Sequence, residues 1–142
     1  MPHIKAKHLN PQQGTGYHAA FDGIANDTIA QNDLVVANGV DGNRIKWVRA
    51  AANNAAARSG VMGIADHAAT SGGRLRVVSH KVITGVDTSG STAAGHAIYL
   101  SDTPGSWGTS AGTATIVVGS VLVDDNTTGA LVLAPAHSVG IE

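Results

Sequence analysis

The side chains best able to hold a metal or move a proton are seven histidines: His3, His8, His18, His67, His80, His96 and His137. Metal chemistry needs two or more of them converging, usually as a close pair on one element such as H-E-x-x-H. No such pair occurs. His3 and His8 stand five apart, and Asp66 and His67 are adjacent, so in a strand they point to opposite faces. They read as surface or turn histidines, and no metal is expected. "GTGYHA", Gly14 to Ala19, matches the letters of a dinucleotide fingerprint. That motif works only between a strand and a helix. Here Pro11 and two glutamines precede it and no helical period follows, so no cofactor is expected. Asp124-Asp125-Asn126 resembles part of a calcium loop, but the alternating oxygen ligands and closing Glu are missing. A turn between strands explains it better. No serine has the G-x-S-x-G setting of a nucleophile elbow, and no carboxylate pair stands out for glycoside chemistry. The chain is not expected to be an enzyme.

The composition bounds the alternatives. The chain has 142 residues, no cysteine and a formal charge of −1. Disulfides and thiolate metal sites are excluded, and a reducing compartment is acceptable. The charge is wrong for direct contact with nucleic acid, which needs clustered Lys and Arg. No apolar run approaches the roughly 20 residues of a membrane helix, and the start, Met1 to Lys5, lacks the apolar core of a signal peptide. Charged residues make up 13% of the chain, about half the usual share of roughly 25%. A charge-poor chain rich in Gly, Ala, Ser and Thr suits a β module, or a subunit that buries much of its surface in an assembly.

The elements that would position any site are strands. Residues 1–25 carry no sustained period. Pro2, Pro11, Gly14, Gly16 and Gly23 interrupt single apolar residues at Ile4, Leu9, Tyr17 and Phe21, which reads as an extended N-terminal arm. Residues 26–142 form a β domain. "RIKWVRA" sets Ile45 and Trp47 against Arg44 and Lys46, and "GRLRVV" sets Leu75 and Val77 against Arg74 and Arg76. "AIYLS", "TIVVGSVLV" and "GALVLAP" are further strands. Pro104-Gly105 fits the centre of a type II turn. "RAAANNAAARSG", residues 49–60, reads as a loop with one or two helical turns, since Asn53 and Asn54 are poor helix-interior residues. Trp47 and Tyr99 lie in alternating strands and are assigned to the core. Trp107 sits in a Gly-Ser turn, either as a lid on the barrel end or as an exposed anchor for a partner.

The chain also reads as repeating itself. Gly63 laid on Gly119, an offset of 56, puts Val61 on Val117, Gly73 on Gly129, Leu75 on Leu131 and Val77 on Leu133. Upstream, "AQNDLVV" falls on "AAGHAIYL" at an offset of 63. The expected fold is all-β, a small barrel or sandwich of two similar β units behind an extended arm, because each unit alone has too few strands to bury a face.

"AGHAIYLSDTPGSWGTS" followed by "IVVGSVLVDDNTTGALVLAP" resembles the small capsid decoration, or cement, proteins of tailed bacteriophages. "GVMGIAD" and "GGRLRVVSHKVITGV" are similar to their central region. The resemblance covers residues 28–135 and departs at His96, where an acidic residue is usual; no motif matches the arm. It implies a β subunit on the virion exterior. Such a subunit binds the major capsid protein as a homotrimer at three-fold positions, after assembly in the host cytoplasm, and stabilises the expanded shell. The candidate contact residues are then Ile4, Leu9, Tyr17 and Phe21 of the arm, Arg74 and Arg76 as rim contacts to an acidic shell, and Trp107. The alternative expectation is a glycan- or receptor-binding module on a virion or cell surface, with Trp107 as its platform.

Overall fold

A computed structural model describes residues 20–91 and 93–135. They form ten strands in two sheets. The first five are β1 (Ala20–Ala25), β2 (Leu34–Asp41), β3 (Arg44–Arg49), β4 (Met62–Ala65) and β5 (Arg74–Val78). They close into a barrel in the order β1-β3-β2-β4-β5. The second five are β6 (Lys81–Val86), β7 (Ala97–Leu100), β8 (Trp107–Gly108), β9 (Val117–Val123) and β10 (Gly129–Leu133). They form an open, curled sheet in the order β6-β10-β9-β7-β8.

The two sheets have the same wiring. Read from β1 around the barrel, the order β1-β5-β4-β2-β3 matches β6-β10-β9-β7-β8 strand for strand. The ladders agree residue by residue: Val35 opposite Gly63 recurs as Ile98 opposite Gly119. Both glycines are held by packing. A Cβ on Gly63 would meet Val77, and one on Gly119 would meet the backbone of Val132 and Leu133. Three residues before Val35 and Ile98 the backbone turns left-handed in both units, at Asn32 (φ 72°) and Gly95 (φ 92°). The β9–β10 ladder runs two residues out of step with β4–β5 and bulges between Ala130 and Leu131. With a side-chain period of two, such a slip keeps the same faces inward. The units differ at closure. β3 is long enough to pair in parallel with β1, Ile24 opposite Lys46 and Ala25 opposite Trp47. Its counterpart β8 has two residues and pairs with β7 alone among the strands.

Alternation builds two cores. Val35, Trp47, Ala65, Leu75 and Val77 point into the barrel, with Ala25 and Ile29. Leu34 and Val36, one residue either side of Val35, point out of it and are fully buried. They meet Met62 and Ile64 of β4 and, across the gap, Ile83, Ile98, Leu100, Val118, Val121, Leu131 and Leu133 of the second sheet. Residues 34–36 of β2 and all of β4 are therefore the shared wall, buried on both faces. Each such side chain is worth roughly 1.5–3 kcal/mol when removed from water. The alanine-rich stretch supplies one turn, a 3-10 helix at Ala55–Ala57 with the Asn54 side chain accepting from Ala56 N at 3.1 Å. Ala50, Ala51 and Ala52 are buried in the core between the sheets. The turn at Pro104-Gly105 is type II, with Ser106 N donating to Thr103 O at 3.0 Å and Gly105 at φ 82°.

Two expectations need correction. The last six residues of the expected arm, 20–25, are β1, a barrel strand with Phe21 opposite Val77 and Asp22 opposite Arg76; residues 1–19 lie outside the described residues. Tyr99 is partly exposed, because Ile98 and Leu100 on either side take the inward positions.

Candidate functional site

The groups considered for chemistry are held by the backbone around them. His67 Nε2 accepts from Arg76 N at 3.1 Å, and its Nδ1 lies 2.9 Å from Ala68 O, which fixes the tautomer with the proton on Nδ1. His96 Nε2 sits 3.1 Å from Thr109 O, and His80 Nδ1 sits 3.2 Å from Ser79 Oγ. His3, His8, His18 and His137 lie outside the described residues. Among the described residues no three His, Asp or Glu side chains converge as metal ligands would. Asp125 closes its own turn. Its Oδ2 accepts from Thr127 N at 2.9 Å and Thr128 N at 2.8 Å, and from both threonine hydroxyls. Those bonds hold its carboxyl at about 2. The buried Thr88 hydroxyl ties the same turn to the end of β9 by donating to Val123 O at 2.7 Å. The fingerprint segment, residues 14–19, lies outside the described residues. No helix among the described residues is long and apolar enough to cross a membrane.

Three of the seven expected contact residues come together. Phe21 on β1 and Arg74 and Arg76 on β5 line a hollow of about 370 Å³, with Ala20 and Asp22. The hollow lies at the barrel wall where β1 and β5 pair. Phe21 is 43% exposed, and its ring centroid is 6.0 Å from that of Trp47 inside the barrel. Arg74 Nη2 bonds Asp22 Oδ2 at 2.8 Å. Arg76 Nε and Lys81 Nζ share Asp66, each at 3.5 Å. Arg44 and Lys46 stand on the same outer wall on β3, and neither has a carboxylate within ion-pair distance among the described residues. Exposed pairs of this kind add little stability, typically about 0–1 kcal/mol. Ile4, Leu9 and Tyr17 lie outside the described residues.

Trp107 is elsewhere and has another task. Its Nε1 donates to Asn32 O at 3.0 Å, and its ring packs on the core between the sheets. The turn that carries it is bonded to the barrel by backbone: Leu34 N to Gly105 O at 2.9 Å, Gly105 N to Ala50 O at 2.8 Å and Ala52 N to Ser101 O at 2.9 Å. Trp107 thus fastens the open sheet to the barrel while staying partly exposed. It also stands where Trp47 stands in the first unit. Trp47 lies opposite Ala37 on the β2–β3 ladder, and Trp107 lies opposite Leu100 on β7–β8. One tryptophan fills its own barrel; the other reaches across to its neighbour.

The surface that residue-by-residue reading missed is the outer face of the second sheet. Val82 is 57% exposed and Val117 43%. The ladders line up Val82, Val132, Ser120 and Ala97 across four strands. Lys81, at one end of the edge strand β6, is the sole charged residue in β6 to β10. The signal was in "TIVVGSVLV", whose apolar residues fall on both faces of one strand. That pattern belongs to a strand covered on both sides, and here one side is uncovered.

The chain matches no protein-family model, and no curated protein matches it.

Proposed function

We propose that this chain is a structural coat subunit that binds the outer surface of a tailed-phage capsid, as a homotrimer at three-fold sites on the major capsid protein, and stabilises the expanded shell. The observation that carries the reading is the uncharged outer face of the second sheet, where Val82 and Val117 remain exposed on a fully formed β scaffold. Large exposed apolar faces are uncommon on solitary soluble domains and mark interaction sites. The strings "AGHAIYLSDTPGSWGTS" and "IVVGSVLVDDNTTGALVLAP" supply the resemblance, and the low charge of the chain suits extensive subunit contacts. Such a subunit acts by mass action. A ligand binding only the expanded shell stabilises each site by RT ln(1 + [L]/Kd), about 2.7 kcal/mol at a hundredfold excess over Kd. The glycan-binding alternative needs an open aromatic platform, and Trp107 is engaged in joining the two units.

The test is co-sedimentation of the purified chain with unexpanded and expanded heads from its own source, followed by imaging of the pellet. The expected result is saturable binding to expanded heads with density at three-fold positions. Val82→Lys and Val117→Lys should fold and fail to bind. A folded chain that stays in the supernatant with every shell overturns the reading.

A further inference from the structure

One asparagine of the chain is followed by glycine, Asn38 before Gly39. In that setting the side-chain amide can close a five-membered ring on the next backbone nitrogen, an approach that a following side chain hinders and glycine leaves open. A strand ladder ordinarily suppresses the reaction by holding that nitrogen in its hydrogen bond. The ladder is weakest here. The β2–β3 pairing passes from Ala37 opposite Trp47 to Gly39 opposite Lys46, so Asn38 is an extra residue in a bulge. β4 covers β2 only as far as Ala37, whose N–H donates to Val61 O at 2.9 Å. β1 reaches β3 only at Lys46 and Trp47. Residues 38–45 therefore form a two-stranded ribbon with no further strand partner among the described residues, and such a ribbon is marginal on its own. Asn38, Gly39, Val40 and Asp41 are all exposed. A Cβ built on Gly39 would meet nothing closer than Lys46 Cδ at 3.7 Å, so the ring has room to close.

We propose that Asn38 is a site of spontaneous, one-way modification, in which its side-chain amide becomes a carboxylate through a succinimide shared with Gly39. The Gly39 nitrogen gives up its proton and bonds to Asn38 Cγ. The bond from Cγ to the side-chain nitrogen breaks, and that nitrogen takes up the proton and leaves as ammonia. Water then opens the ring. Attack at Cγ gives aspartate; attack at the main-chain carbonyl carbon of Asn38 gives isoaspartate, with the chain now running through the side chain. The net change is one water in and one ammonia out, with no oxidation or reduction. The bulge tolerates the extra backbone carbon of isoaspartate, because Asn38 has no ladder partner to lose. The new carboxylate appears in the wall of a hollow of about 360 Å³ that Asn38 lines with Asp27, Arg49 and Asn54. Arg49 Nε already bonds Asp27 Oδ2 at 3.0 Å, so the product sets two carboxylates beside one guanidinium. The inference does not depend on the coat-subunit reading.

Ageing the purified full chain at neutral and at mildly alkaline pH tests it, with peptide mapping by mass spectrometry and enzymatic labelling of isoaspartate as readouts. Asn38 should convert ahead of every other asparagine, and faster at the higher pH, because the nitrogen attacks after losing its proton. The folded chain should convert Asn38 within about tenfold of its rate in guanidinium chloride, since a hairpin end bonded only to itself opens at little cost. Asn38→Gln should remove the acidic form that ion exchange detects, and Asn38→Asp should carry the added charge from the start; circular dichroism checks that both fold. Protection of Asn38 in the folded chain beyond that tenfold range overturns the inference. So does conversion of another asparagine at the same rate, or an acidic form that persists in Asn38→Gln.

Discussion

Replacing Trp107 tests how the two units are held together. Its indole buries well over half of a surface of about 200 Å², so truncation to alanine returns roughly 130 Å² to water, or about 3 kcal/mol at about 25 cal/mol per Å². Loss of the 3.0 Å bond to Asn32 O adds about 1 kcal/mol. Trp107→Ala should therefore lose about 4 kcal/mol. Trp107→Phe keeps most of the area and loses the donor, for about 1–2 kcal/mol. The assay is urea unfolding followed by far-ultraviolet circular dichroism, so that removal of the fluorophore does not disturb the readout. A domain of this size shifts its Tm by about 2–5 °C per kcal/mol, and a thermal scan gives an independent check. A second readout separates a joint from an ordinary core residue. Amide exchange should quicken at Leu34, Gly105 and Ala52, whose N–H groups form the backbone bonds between the units, and stay slow at Val77 inside the barrel. A loss below about 0.5 kcal/mol for Trp107→Ala, the range of a neutral surface change, refutes the reasoning, because the ring would then be a bystander at a turn.

Gly23→Ala should destabilise by about 2–3 kcal/mol, because the added Cβ meets the Trp47 ring and lies 2.6 Å from Ile45 O; chemical denaturation with Trp47 emission reads it. Asp125 has a folded value of about 2, below its ordinary 3.8. Its contribution is present above the unfolded value and lost as pH falls through about 2. Asp125→Ala should flatten the stability profile between pH 4 and 2 when unfolding is measured across that range. Asp33 behaves oppositely: burial, outweighing the bond from Ala30 N and the pull of Arg49, raises its carboxyl above the usual range. The charged form is then penalised on folding, so the wild type gains stability as pH falls through that raised value. Asp33→Asn should be more stable than wild type at pH 7 and lack that gain in the same titration. Gly119→Ala should cost more than Gly108→Ala, since a Cβ at Gly119 meets backbone that cannot swing aside and one at Gly108 meets nothing within 4 Å; paired thermal melts decide it.

Much of the β architecture was legible from side-chain alternation. In β3 and β5 alternation told which residues enter the barrel, and Ile45, Trp47, Leu75 and Val77 do; Val48 and Val78, which break it, pack against the core between the sheets. Pro104-Gly105 named its own turn type because φ is fixed at one position and freed at the next. The internal repeat was readable at Gly63 and Gly119 because each must admit a neighbouring strand. β1 was hidden for a physical reason. Its inward residues include Gly23, which is small because Trp47 from β3 fills the space above it. The hydrophobic bulk that would have announced the strand sits on another strand. Tyr99 was misplaced because a residue in an alternating apolar run gives no sign of which parity faces inward.

Of the residues lining the hollow, Arg74 and Arg76 were visible as the polar positions of an amphipathic strand, and Phe21 as an isolated aromatic. Their meeting in one hollow depends on β1 pairing with β5 across some fifty residues of chain, which no local pattern encodes. Residue types and their two-residue period determined on their own that this chain builds strands, where several of them turn, and that it does so twice. Tertiary structure decided the rest. It closed one sheet and left its twin open because β3 reaches β1 while β8 ends after two residues. It set equivalent tryptophans to different tasks, and it left one valine-rich face uncovered. Alternation is a local property of the chain; closure, partner choice and exposure depend on which distant strands compete for the same edge.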